Sequence, residues 1–342
     1  MLRAELKKLI KLGRLPLIIV IALAVRFLLC IIPAYNEHPY SPEVYRQYTE
    51  EYCGELTEEK LRRLNERLAE IEELLGQYEE MQDRYVRGEL TLEEYSDYTE
   101  RHGKAAAEYS TVEYLCRKWE ALNACSTFDR KIFYDTDWSD LFGSNGFDFV
   151  MLLAMLCIAV PAFDSEYSSG SFSQLLTSKR GRGQLAAAKV AAVVVSVFIL
   201  SVMMSGVRLG VFAYRTGLAY SKMPVGNILL TDGFGSTTLM GYYINDALVK
   251  AIVIAVYSAA VCLISTACRS TVFSLVLAFI ISVTPMFLAD CVQGEALYII
   301  SGALLGKMYP ADVNLSVFFT VSAVKLSVLT AATVRLWGSR RK

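Results

Sequence analysis

The sequence predicts an all-α membrane protein with six transmembrane helices and a large extracellular antiparallel helical hairpin between spans 1 and 2. Three observations carry this. Six apolar runs are separated by short polar loops. One long polar stretch has a helical spacing of apolar residues. Basic residues gather at one set of span ends. The chain has 342 residues, of which 54% are hydrophobic, and its formal net charge of −1 hides a segregation. From Tyr35 to Asn145 acidic residues outnumber basic ones roughly twofold, and elsewhere charges are sparse and mainly basic. Two such regions point to two environments.

Residues 1–14 contain MLRAELKKLIKL, in which Leu2, Leu6, Leu9 and Ile10 share one helical face with Arg3, Lys7, Lys8 and Lys11 around it. This suits an amphipathic helix lying in the cytoplasmic leaflet surface. The first apolar run, 15–33, is about 19 residues, enough to cross about 30 Å of hydrocarbon. A basic start fits a signal peptide. No small-x-small cleavage site follows, and Cys30 lacks the small residue that a lipoprotein signal needs, so the run reads as a retained anchor.

The remaining expected spans are 147–163, 185–207, 244–267, 272–289 and 315–336, which with 164–184 form a transmembrane domain over 147–342. The run Ala296–Leu305 is too short to cross and reads as a re-entrant or interfacial piece. Lys179, Arg180, Arg182, Arg269, Arg335, Arg340, Arg341 and Lys342 fall on the side of the basic N-terminus. The positive-inside rule therefore makes both termini cytoplasmic and 34–146 external. Arg208, Arg215, Lys222 and Lys307 are expected in short loops on the other side, so the bias is not absolute.

Within the external domain, Leu61, Leu64, Leu68, Ile71, Leu75, Tyr78, Met81 and Tyr85 alternate three and four apart. So do Tyr95, Tyr98, His102, Ala105, Tyr109, Val112, Cys116, Trp119 and Leu122. This is the seam of a coiled coil. Gly88 is placed to end the first helix, and Thr91 with Glu94 forms a capping box that starts the second. A hairpin folding about Glu89 sets Cys53 opposite Cys125, which predicts a disulfide on an oxidising side of the membrane. Cys30, Cys157, Cys262 and Cys268 lie in or beside apolar runs and read as packing residues. With no CxxC pair and only His38 and His102, no metal site is expected.

Arg26 and Lys325 fall inside apolar spans, where charge is costly and usually faces a bundle interior or water. Both are candidates for an export pathway; snorkelling or an internal contact is the competing account. Asp246 and Lys250, four apart, read as a local ion pair.

The loop after the second span holds Glu166, Gly170, Ser171, Leu175, Leu176, Ser178, Arg180 and Arg182, with Lys189 opening the next span. In this order the residues resemble the type-2 ABC transporter permease family, the membrane subunits of many bacterial exporters. Gly170-Ser171 stands where that family often has Gly-Thr. The motif covers only this short region, although the six-span layout and the amphipathic N-terminus also fit.

The resemblance implies that 164–184 is a coupling loop seated in a groove of a separate ATPase. Glu166 would stand at its start, Arg180 and Arg182 at its exit, and Gly170, Leu175 and Leu176 within it. It also implies a bacterial plasma-membrane location, a second permease copy or paralogue, and export of a peptide, an antibiotic or a lipid-like molecule. ATP would act only through the partner subunit, with no cofactor bound directly. The chain has no GxxxxGK[ST], GxSxG or HExxH, so no catalytic activity of its own is expected. No basic, aromatic-interleaved patch argues for nucleic acid. The alternative is a membrane-anchored sensor or binding protein that captures a ligand with the hairpin.

Overall fold

The computed structural model describes residues 2–11, 14–32, 38–143, 149–163, 182–268, 270–288, 291–305, 310–311 and 313–339. They are mostly helical, with one two-stranded sheet among them. The chain divides into two compact units. One comprises Met1–Ala34, Leu141–Leu218 and Tyr243–Lys342; the other comprises Tyr35–Asp140 and Ala219–Tyr242.

The first unit is apolar. Among the described residues, three helices are long and apolar enough to cross a membrane: Gly183–Thr216, Leu239–Cys268 and Leu315–Ser339. Shorter apolar helices cover Leu15–Ile31, Phe149–Phe163 and Thr271–Pro285. The amphipathic segment forms α1 (Leu2–Lys11), which packs against α2 (Arg14–Ile31) and the long α9 (Arg182–Thr216). Met155, Phe163, Val193, Leu200, Cys262 and Trp337 belong to its buried core. Leu17, Val20 and Leu28 on α2, and Val272, Phe273 and Ile280 further on, are instead exposed. Apolar side chains turned outward in this number suit a lipid surround.

Helix α9 runs well beyond the expected span 185–207. Arg208 and Arg215 are therefore helical residues, not loop residues. The apolar pattern carries the helix on through Leu209, Val211 and Phe212, and both arginines find carbonyl acceptors inside the unit.

The second unit is built on α3 (Pro42–Glu51), α4 (Glu58–Gly76), α5 (Tyr78–Val86) and α6 (Leu92–Ala124). Helix α4 lies along α6, with Leu64, Ile71, Ala105, Val112, Leu115 and Trp119 buried between them. Cross-helix pairs fix the register: Arg67 bonds Glu108 at 3.0 Å, Tyr98 Oη donates to the Leu74 carbonyl at 2.9 Å, and the rings of Tyr85 and Tyr95 stack at 4.3 Å. The expected first helix is broken at Gln77, giving α4 and α5.

The turn is as the sequence predicts. Gly88, at φ +75°, donates to the Tyr85 carbonyl, and Glu89 donates to that of Arg84, each at 2.9 Å, closing a Schellman turn. The capping box then starts α6: the Thr91 side chain accepts from Glu94 N–H, and the Glu94 carboxylate accepts from Thr91 N–H. These bonds hold the Glu94 carboxyl below its ordinary range.

The expected disulfide is absent: Cys53 is a free, exposed thiol and Cys125 a free, buried one. The helical register stops before Cys53. Helix α3 ends at Glu51, and β1 (Gly54–Glu55) pairs antiparallel with β2 (Lys131–Ile132), Gly54 facing Ile132. The Lys60 ammonium fixes this corner by donating to the carbonyls of Tyr52, Cys53 and Glu55 at 2.8–3.1 Å. Cys53 thus lies level with the chain beyond Cys125.

Residues 219–242, expected to be a connection inside the transmembrane domain, instead belong to the second unit. Asn227 Oδ1 accepts from Lys131 N–H at 3.0 Å, and Trp138 Nε1 donates to the Ala219 carbonyl at 2.7 Å. The Asp232 carboxylate accepts from the backbone N–H groups of Ser126 and Thr127, both at 2.9 Å. Gly226, in the short α10 (Gly226–Leu229), meets the Phe128 ring so closely that a Cβ would collide with it.

Candidate functional site

Glu166, Gly170, Leu175, Leu176 and Arg180 lie outside the described residues, and Arg182 is the first residue of α9. What is described is the foot from which that loop springs. The helix preceding it, α8 (Phe149–Ala159), continues as a helical run to Phe163. A helix end leaves carbonyls without intrahelical donors. Two of them find donors on other helices. The Ser265 hydroxyl, from α11 (Leu239–Cys268), donates to the Val160 carbonyl at 2.7 Å. The Lys189 ammonium, from α9, donates to the Ala162 carbonyl at 3.1 Å.

Lys189 is only 4% exposed, and its ammonium also sits 5.6 Å from the centre of the Phe163 ring. A cation at a helix C-terminus and over an aromatic face is favourable on both counts. Phe163 packs edge-on against Trp337 of α14 (Leu315–Ser339), with ring centres 5.1 Å apart. At the start of α9, Gly183 lies where a Cβ would stand 3.3 Å from Val334 of α14. The two ends of the loop are therefore tied to one another and to α11 and α14.

Two arginines of α9 share this habit. Arg208, 8% exposed, donates to the Leu141 carbonyl in the last turn of α7 (Thr136–Gly143). Arg215 donates to the carbonyl of Ile31, the last residue of α2. Three basic side chains of α9, those of Lys189, Arg208 and Arg215, are thus each spent on the end of a different helix. This explains the two arginines that sit against the charge bias.

Lys325 does likewise. Its ammonium reaches the Tyr298 and Ile299 carbonyls at 2.5 and 2.9 Å and Ser301 Oγ at 3.1 Å. These three acceptors belong to one short segment of the chain. Arg26 is half-buried on α2, within electrostatic range of Arg208, as are Tyr243 and Asp246. Asp246 and Lys250 form the expected ion pair at 2.8 Å.

The second unit holds a buried ionic cluster that sequence reasoning missed. Lys118 is paired with Asp135, the two side chains being 10% and 4% exposed. Tyr45 Oη donates to Asp135 Oδ1 at 2.6 Å and accepts from Lys118 Nζ at 2.8 Å. Burial and the Asp135 carboxylate push the Tyr45 hydroxyl well above its ordinary value. Every member has partners, as a buried network requires. The residues lie far apart in sequence, and no local pattern joins them.

No known protein family, curated protein or solved structure matches this chain.

Proposed function

We propose that the chain is the membrane-spanning permease subunit of an ATP-binding-cassette exporter in a bacterial plasma membrane. ATP is bound and hydrolysed by a separate ATPase subunit, and two permease copies or paralogues form the passage. The observation that carries this reading is the clamp between Lys189 and the Ala162 carbonyl at the foot of residues 164–181. A charged loop that merely obeyed the positive-inside rule would need no such clamp. A loop that transmits force does. With its ends tied, displacement of the loop moves α8 and α9 as one body. Ser265 extends that body to α11, and the Phe163–Trp337 contact extends it to α14.

Chain parity supports the six-span layout. Residues 35–140 and 219–242 share one compact unit, and a compact polar unit lies on one side of a bilayer. Gly183–Thr216 crosses between them, so the chain crosses once more between 140 and 183. Among the described residues, Phe149–Phe163 is the apolar helix in that interval. With the basic termini inside, the second unit is extracellular.

The test is affinity purification of the tagged full-length protein in mild detergent, with mass spectrometry of its partners, for the wild type and Glu166→Lys. A stoichiometric P-loop ATPase, lost in the mutant, is the expected result. Absence of an ATPase across several detergents, with ligand binding traced to residues 35–145, would replace the exporter by the membrane-anchored sensor.

A further inference from the structure

The chain between α12 (Thr271–Phe287) and α14 does not run simply over a surface. It forms the short helix α13 (Ala296–Ile299) and then a 3-10 turn over Ser301–Leu305, whose Ser301, Gly302, Ala303 and Leu304 are buried. Lys325 lies ten residues into α14, about 15 Å along its axis at the helical rise. The carbonyls that Lys325 reaches therefore lie within a lysine side chain's reach of that depth. If α14 crosses the bilayer, a broken helix, with carbonyls outside any regular helical ladder, sits about halfway through it. Irregular backbone is tolerated there only where its polar groups are satisfied by protein or water.

The segment is held from several sides. Lys325 caps the end of α13 by donating to the Tyr298 and Ile299 carbonyls and bonding Ser301 Oγ. Tyr298 Oη accepts from Asn314 N–H at 2.7 Å, at the start of α14. At Gly302, a Cβ would collide with the Tyr257 hydroxyl of α11 and the Pro285 ring of α12, so the turn is pressed against both helices.

We propose that Lys325 is a latch, a positioning residue that holds the re-entrant segment Ala296–Leu305 at mid-membrane depth, and not a contact for transported cargo. The inference rests on the reading of α14 as a membrane-crossing helix. It uses no property of the ATPase partner. The three acceptors of one ammonium all lie within four residues of the segment. An ammonium poised for cargo would direct its donors into an open passage.

The experiment is hydrogen–deuterium exchange of the full-length protein in lipid nanodiscs, for the wild type, Lys325→Met, Lys325→Arg and Ser301→Ala. Lys325→Met removes the charge-assisted bonds and keeps most of the side-chain volume. It should speed exchange within 296–305 about tenfold or more while α11 and α14 stay protected. Lys325→Arg, which keeps donors and charge, should restore most of the protection, and Ser301→Ala should give a smaller rise in the same peptides. Unchanged exchange in Lys325→Met, with α14 protected, overturns the latch. A rise spread over every helix of the unit overturns it too, because Lys325 would then serve general folding. Fast exchange along α14 in the wild type would instead remove the membrane-crossing premise. If Lys325→Met fails to assemble, Ser301→Ala decides: no local rise there counts against the latch.

Discussion

The Lys189 ammonium, which follows residues 164–181 in the chain, donates to the Ala162 carbonyl, which precedes them, at 3.1 Å. The Lys189 side chain is buried and the bond partly so, and its loss leaves a helix-end carbonyl without this donor. Lys189→Met should destabilise the protein by about 1–3 kcal/mol, and Lys189→Arg should recover part of it. Thermal unfolding in detergent measures this. An unchanged midpoint in Lys189→Met would mean that the clamp is not made in solution.

The ion pair of Lys118 and Asp135 gives a sharper asymmetry. Removing one partner strands the other charge, and Lys118→Met should cost about 3–5 kcal/mol. The double variant Lys118→Met/Asp135→Leu should lose less than the single one. Circular-dichroism melts of the three proteins form the cycle. Equal losses would show that the pair is solvated, not buried.

Thiol chemistry separates the cysteines of the second unit. Exposed Cys53 should react with a maleimide at neutral pH in the folded protein. Burial pushes the Cys116 thiol up to about 11 and also raises that of Cys125. These two should react only on unfolding, because the thiolate is the nucleophile. Peptide mapping under non-reducing conditions should recover no Cys53–Cys125 bridge, and finding one would contradict the corner fixed by Lys60.

Asp232 makes a pH prediction. Its carboxyl accepts backbone N–H bonds from Thr127 and Ser126, which hold its pKa below the ordinary value. A carboxyl depressed in the folded state contributes stability above its unfolded pKa, about 3.9. That contribution fades as pH falls through the lower, folded value. Hydrogen exchange of residues 219–242 should therefore speed up below about pH 4 in the wild type. In Asp232→Asn it should already be faster at neutral pH and show a flatter acid limb. Identical pH profiles would rule out the carboxylate as the anchor.

Much of this fold is legible in the residues because its determinants are local. The hairpin turn follows from Gly88 and the Thr91–Glu94 box, and the α4–α6 seam from three-and-four spacing. The Asp246–Lys250 pair needs only one helix. What escapes depends on distant partners. Lys118, Tyr45 and Asp135 come from three separate segments. The pairing of Gly54 with Ile132 shifts Cys53 out of helical register, and nothing near Cys53 announces it. The candidate site divides in the same way. Its motif residues from Glu166 to Arg180 lie outside the described residues. The neighbours that tie the loop's ends, Ala162, Ser265 and Trp337, have no signature of their own. Lys325 stood out as a charge among apolar residues, but its partners at 298–301 come from another segment.

The second unit is assembled from two stretches of chain made at different times. Residues 35–140 leave the ribosome first, and residues 219–242 follow roughly 5–15 s later at ordinary synthesis rates. Until then the Ser126 and Thr127 N–H groups lack the Asp232 carboxylate, and the Phe128 ring lacks the backbone of Gly226. In the six-span layout the missing stretch arrives on the correct side only after α8 and α9 have both been threaded through the bilayer. An inverted or skipped helix would strand it on the other face. In that layout, completion of the unit would report correct insertion, because a chain with the wrong topology would leave the Ser126 and Thr127 N–H groups without the Asp232 carboxylate.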